Sequence, residues 1–183
     1  MATAERLITA DEYLQGEEEH FVELIDGRVV MEEPTFWHQA LCGRIYHALC
    51  SWTEAAPDRG AASLPVNVRL DEHNVFGPDV SWFREDRRPG YPGRWVPAPD
   101  LVAEVRSPST WKYDLGRKRE YYERFGVVEL WLVDIATESV VVFRRSSAAA
   151  TGFDCTDEQR APGELTSPLL PGFALALAKL FEQ

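Results

Sequence analysis

Two spacings of apolar residues divide the chain into elements. Thr9-Ala10-Asp11-Glu12 is a capping-box pattern, which predicts a short helix running to about Gln15. Phe21 to Ile25 and Arg28 to Met31 are β-rich runs on either side of Asp26-Gly27, a pairing that predicts a hairpin. From Thr35 to about Glu54, the positions Leu41, Ile45, Ala48, Leu49 and Trp52 recur three and four residues apart, so one face of a long helix is apolar and Pro57 marks its end. Strands are expected at about Ala61 to Leu64, Val66 to Leu70, Asp79 to Arg84 and Leu101 to Arg106, with a loop from Arg84 to Pro97. Tyr113 to Phe125 is helix-prone and stops at Gly126. Glu129 to Asp134 and Ser139 to Arg144 form a second hairpin-like pair, and a Pro-Gly-rich stretch precedes a closing amphipathic helix over Phe173 to Glu182. This order predicts an α/β fold, a mixed sheet with helices on both faces.

With 183 residues the chain is long enough for one cored domain and short for two, so residues 1–183 are expected to form a single domain. No run approaches the roughly 18 apolar residues of a membrane span, and the charges scattered through the N-terminus do not suit an export signal, so a cytoplasmic protein without a membrane partner is expected. Cys42, Cys50 and Cys155 make an odd count suited to a reducing compartment. The net charge of −11, from 19 Lys and Arg against 30 Asp and Glu, is the wrong sign for nonspecific coating of nucleic acid. The exception is local: residues 84 to 124 hold ten basic against seven acidic side chains.

Gly77-Pro78-Asp79-Val80 and Leu101-Val102-Ala103-Glu104-Val105-Arg106 each carry one carboxylate on a short apolar strand. An unpaired buried carboxylate is costly, and two brought together suggest a cation between them, for which Mg²⁺ is the usual oxygen-liganded choice in phosphodiester chemistry. Strand alternation turns Glu104 and Arg106 the same way. Removing one of two clustered acids relieves repulsion, so Asp79→Ala is expected to be tolerated by the metal-free fold.

An Asp after Pro on one strand, then Glu-x-cation on the next, resembles the PD-(D/E)XK nuclease motif, with Arg106 where that superfamily usually has Lys. The surrounding strings, "ELIDG" at 23–27, "PVNVRLDEHNVFGPDVSWF" at 65–83, "PDLVAEVRSPST" at 99–110, "DLGRKREYYERFGVVELWLVD" at 114–134 and "LTSPLLPGFALALAKLF" at 165–181, resemble in order the Uma-two family of restriction-endonuclease-like proteins. The resemblance covers nearly the entire chain. It implies a restriction-endonuclease-like fold and a Mg²⁺- or Mn²⁺-dependent nuclease acting on DNA. It also implies a site mapped onto Glu23, Asp79, Glu104 and Lys118, with His38 nearby. Asp79 and Glu104 would bind the metal, Glu23 would add a carboxylate, Lys118 would supply the catalytic cation, and Arg106 would grip phosphate.

Each residue also has a plainer reading. Glu23 suits a solvent-facing strand edge, and Lys118, four residues after Asp114, suits a helix-surface ion pair. His38 shares the stripe of Leu41 and Ile45 and faces inward, as a core residue or as a hydrogen-bonding group at the site's edge. Ser107, after the Glu104 strand, either binds phosphate or caps the next helix; no nucleophile elbow supports it as a hydrolase serine. His38, Cys42, His47 and Cys50 have helical spacings, but His47 points about 100° from the first pair and a Cys-x-x-Cys knuckle is missing, so structural zinc is not expected. A nuclease-like scaffold kept as a binding or assembly module is the alternative function. A homodimer would follow from an exposed apolar strand edge.

Overall fold

The computed structural model describes residues 6–16, 22–31, 33–90, 93–106 and 114–182, excepting the side chains of residues 114 and 115. Helix α1 (Ala10–Gln15) is capped by Thr9, and both halves of the capping box are made. Strands β1 (Val22–Ile25) and β2 (Arg28–Met31) turn through Asp26 and Gly27, both at positive φ, as a tight hairpin requires. Helix α2 (Phe36–Glu54) starts at Thr35, whose side chain accepts from His38 N–H. Then come β3 (Ala61–Ser63), β4 (Val68–Asp71), β5 (Asn74–Phe76), β6 (Val80–Phe83) and β7 (Leu101–Val105). A π-helical turn, Asp114–Lys118, leads into α3 (Arg119–Arg124). The chain closes with β8 (Glu129–Asp134), β9 (Ser139–Arg144), β10 (Cys155–Arg160), β11 (Glu164–Thr166), β12 (Ala174–Ala176) and α4 (Leu177–Leu180).

Six strands form the main sheet, in the order β10-β9-β8-β7-β6-β3. Its β7 and β8 run parallel and its other pairs antiparallel, so the sheet is mixed. A second sheet, β2-β1-β5-β4, packs on one face of the first. Alternation along β7 separates the two faces. Leu101, Ala103 and Val105 meet α2 and α4 on one side, whereas Val102 joins Ile25, Val68, Phe76, Tyr122, Leu130 and Leu132 on the other. The architecture is the expected mixed α/β sheet flanked by helices.

Several local expectations change. The β5 strand is additional, and β4 begins at Val68 rather than Val66. The last helix covers only Leu177–Leu180, because Ala174–Ala176 pairs with Glu164–Thr166 instead. The β7 strand stops at Val105, leaving Arg106 beyond it. Tyr113, Phe21 and the Glu17 to Glu19 stretch lie outside the described residues.

Candidate active site

Glu104 lies on the Val102 face of β7 and Glu23 on the Ile25 face of β1, so both carboxylates enter the layer between the two sheets. Each is 2 % exposed. Lys118 enters the same layer from the end of the π-helical turn and is 1 % exposed. Its Nζ lies 2.9 Å from Glu23 Oε1 and 3.0 Å from Glu104 Oε1. The helix-surface reading of Lys118 and the solvent-edge reading of Glu23 are therefore both overturned; the Asp114 side chain lies outside the described residues.

Four residues after Lys118, Tyr122 faces the same way, and its hydroxyl donates to Glu104 Oε1 at 2.5 Å. Burial and the adjacent Glu104 carboxylate push the Tyr122 phenol well above its ordinary pKa, so it stays a neutral donor. The Phe76 ring covers the ammonium at 5.9 Å. Gly77 N–H donates to Glu23 Oε1 at 2.6 Å, whereas Glu23 Oε2 is buried and has no hydrogen-bond partner among the described residues. The segment carrying Lys118 is tied to the first hairpin at Asp26, where Arg117 pairs at 3.1 Å and the Tyr121 hydroxyl donates at 2.6 Å.

Asp79 precedes β6. Continuing the Val80↔Ala103 register by one residue sets it opposite Glu104. Its Oδ2 accepts Val105 N–H at 2.7 Å and stands 3.2 Å from His38 Nε2 on α2. The other nitrogen of that ring, Nδ1, lies 3.6 Å from Cys42 Sγ. Burial, with the charges of Asp79 and Glu104, drives the Cys42 thiol well above its ordinary range, so without a metal it stays a neutral thiol beside His38 and Asp79. His38 is thus buried against Asp79, at the edge of the candidate site.

The basic segment is largely consumed by internal pairs. Buried Asp100 accepts Arg84 and Arg87 at 3.1 and 2.6 Å, at the end of β6 away from Asp79. Arg106 pairs with Asp134 at 2.7 Å. Ser107 lies outside the described residues. Sequence reasoning set Cys42 aside with the other zinc candidates and missed the Gly77 contact. The four-residue spacing of His38 and Cys42 was the one available signal, but their partner Asp79 is 37 positions from Cys42.

A family model described as "Putative restriction endonuclease", Uma2, matches residues 10–178. A solved structure of "a putative nuclease belonging to DUF820" from Anabaena variabilis superposes with a TM-score of 0.80 at 22 % identity, over 95 % of this chain and 97 % of that one. At that identity the likeness establishes the fold. No curated protein matches the sequence. Matched across almost all of its length by one family model, the chain belongs to the Uma2 restriction-endonuclease-like family.

Proposed function

We propose that this protein is a cytoplasmic, divalent-metal-dependent nuclease hydrolysing phosphodiester bonds in DNA, with Asp79 and Glu104 as ligands of Mg²⁺ or Mn²⁺ and Lys118 as the catalytic cation. The observation that carries this reading is Lys118, buried between Glu23 and Glu104 one strand away from Asp79. Apolar side chains of similar volume would serve stability as well or better than such a buried ionic cluster, which points to a functional reason for its presence.

The donor set suits a hard dication. Three carboxylates against one ammonium leave a formal charge of −2, and the donors are all oxygen. Glu23 Oε2, buried and without a hydrogen-bond partner among the described residues, suits a further ligand in the cluster. When bound, the ion supplies Lewis-acid polarisation of a phosphoryl oxygen and lowers the pKa of water. Tyr122 holds Glu104, and the His38–Cys42 chain holds Asp79, so both ligands are oriented beforehand. Glu23 fixes the Lys118 ammonium, which stabilises negative charge developing on phosphate. A phosphate contact by Arg106 would compete with Asp134.

The scaffold alternative gains support from the charge of −11 and from arginines already committed to Asp100 and Asp134. Cleavage assays on single- and double-stranded DNA with Mg²⁺, Mn²⁺ or chelator separate the two. Metal-dependent cleavage is expected, falling at least about 100-fold in Asp79→Asn, Glu104→Gln and Lys118→Met. Cleavage that survives in these variants or in chelator would refute the assignment. Binding without cleavage would favour the scaffold.

A further inference from the structure

Where the start of β6 meets α2, three groups of different ligand chemistry converge. His38, Cys42 and Asp79 are all buried, and one ligand atom from each lies within 4.8 Å of the other two. His38 and Cys42 are stacked four residues apart on α2, whose Leu41, Ile45 and Leu49 anchor it to the sheet, so two of the three ligands sit on a rigid element. Binding a hard, oxygen-seeking ion calls for no thiol here, because Mg²⁺ does not take sulfur.

We propose that His38, Cys42 and Asp79 form a three-ligand site for a borderline transition-metal ion, Zn²⁺ in character, which would take Asp79 from the Mg²⁺ it is proposed to hold with Glu104. Nitrogen, sulfur and oxygen donors with an open fourth position are the pattern of a reactive or regulatory zinc site rather than a closed structural one. Binding breaks the Cys42 S–H bond, forms a sulfur–metal bond and releases the proton to solvent; the imidazole gives one nitrogen lone pair and keeps the proton on the other. One thiolate and one carboxylate then neutralise the dication, as a buried site requires. His47, which points about 100° from His38 and Cys42 on α2, is not needed, because Asp79 at the start of β6 supplies the third ligand. Because Asp79 is shared, the soft ion and Mg²⁺ compete. The site itself stands on the three side chains; only the competition rests on the nuclease reading.

The test is titration of the metal-free, full-length protein with Co²⁺, followed by absorption spectroscopy. A single Co²⁺ per chain is expected, with a thiolate-to-cobalt charge-transfer band and the intense visible bands of four-coordination, all erased by Zn²⁺. Cys42→Ser should remove the charge-transfer band, and both it and His38→Gln should weaken binding at least about tenfold. Circular dichroism checks that each variant is folded, and Cys50→Ser and Cys155→Ser should leave the band intact. A cobalt spectrum without a thiolate band, or a band that survives Cys42→Ser, would overturn the proposal. Cobalt binding of the expected kind in a protein that never cleaves DNA would sink the nuclease reading and leave this one standing. Metal-dependent cleavage without any thiolate band would do the reverse.

Discussion

Asp79 shows how a side chain's neighbours can reverse an expectation drawn from its charge. Repulsion between clustered acids predicts that Asp79→Ala is harmless, but Asp79 Oδ2 accepts Val105 N–H and faces His38 Nε2 in a buried setting. Removing it strands both groups, so Asp79→Ala should lower stability by about 1–3 kcal/mol even without metal. Asn, which keeps an acceptor, should cost less. Thermal unfolding in chelator measures both; equal melting temperatures for wild type and the Ala variant would restore the repulsion argument. Glu129 offers the opposite case. Burial pushes its carboxyl above the ordinary value of 4.5, although Trp131 Nε1–H and Ser167 O–H donate to it at 2.6 and 2.8 Å. A raised folded-state pKa means that the native state holds the proton more tightly. Stability from this group is therefore full below the unfolded-state pKa near 4.5 and is lost as pH rises through the raised value. Glu129→Gln should thus raise the melting temperature at neutral pH and lose that advantage in acid. Melting curves from acid to neutral pH check the sign.

Among the elements, those with a strong internal signal were legible and those defined by a partner were not. The α1 capping box, the Asp26-Gly27 hairpin, the apolar stripe of α2 and the β8–β9 pair follow from local spacing, because a period of 3.6 or 2 and a turn residue are local properties. In contrast, β5 is three residues long, and β10 reads CTDEQR, a mostly exposed edge strand held by its ladder to β9 rather than by an apolar face. Ala174–Ala176 lies within the expected closing amphipathic helix and is a strand because Glu164–Thr166 is available to pair with it. Gly60 joins these levels. Its φ is +75°, and a Cβ there would overlap the Phe83 carbonyl at the end of β6. Gly60→Ala should therefore destabilise the protein by about 1–3 kcal/mol or more, measured by urea unfolding; an unchanged midpoint would contradict this close approach.

Over the whole molecule, the candidate site gathers side chains from both sheets, α2 and the α3 segment, so ligand binding is coupled to the stability of the entire fold. If Asp79 and Glu104 hold Mg²⁺, the melting temperature should rise with its concentration, approaching about 2.7 kcal/mol of stabilisation at 100 times the dissociation constant. Glu104→Gln should abolish the rise. A matched ionic-strength series in NaCl gives the baseline, and an identical effect of NaCl would mean general screening of the −11 charge rather than a site.

The sequence alone determined which residues carry unusual chemistry on apolar strands and the local elements that hold them, because periodicity, capping and turn preferences act over a few residues. It named Asp79, Glu104, Glu23 and Lys118 through motif and resemblance. Only the tertiary structure decided that Lys118 is buried between two carboxylates rather than solvated on a helix, and that Arg106 turns to Asp134. The same holds for the chain of contacts from Cys42 through His38 to Asp79. The physical reason is that a side chain's charge state and role depend on desolvation and on partners far away in sequence, and the packing of two sheets and a helix supplies both.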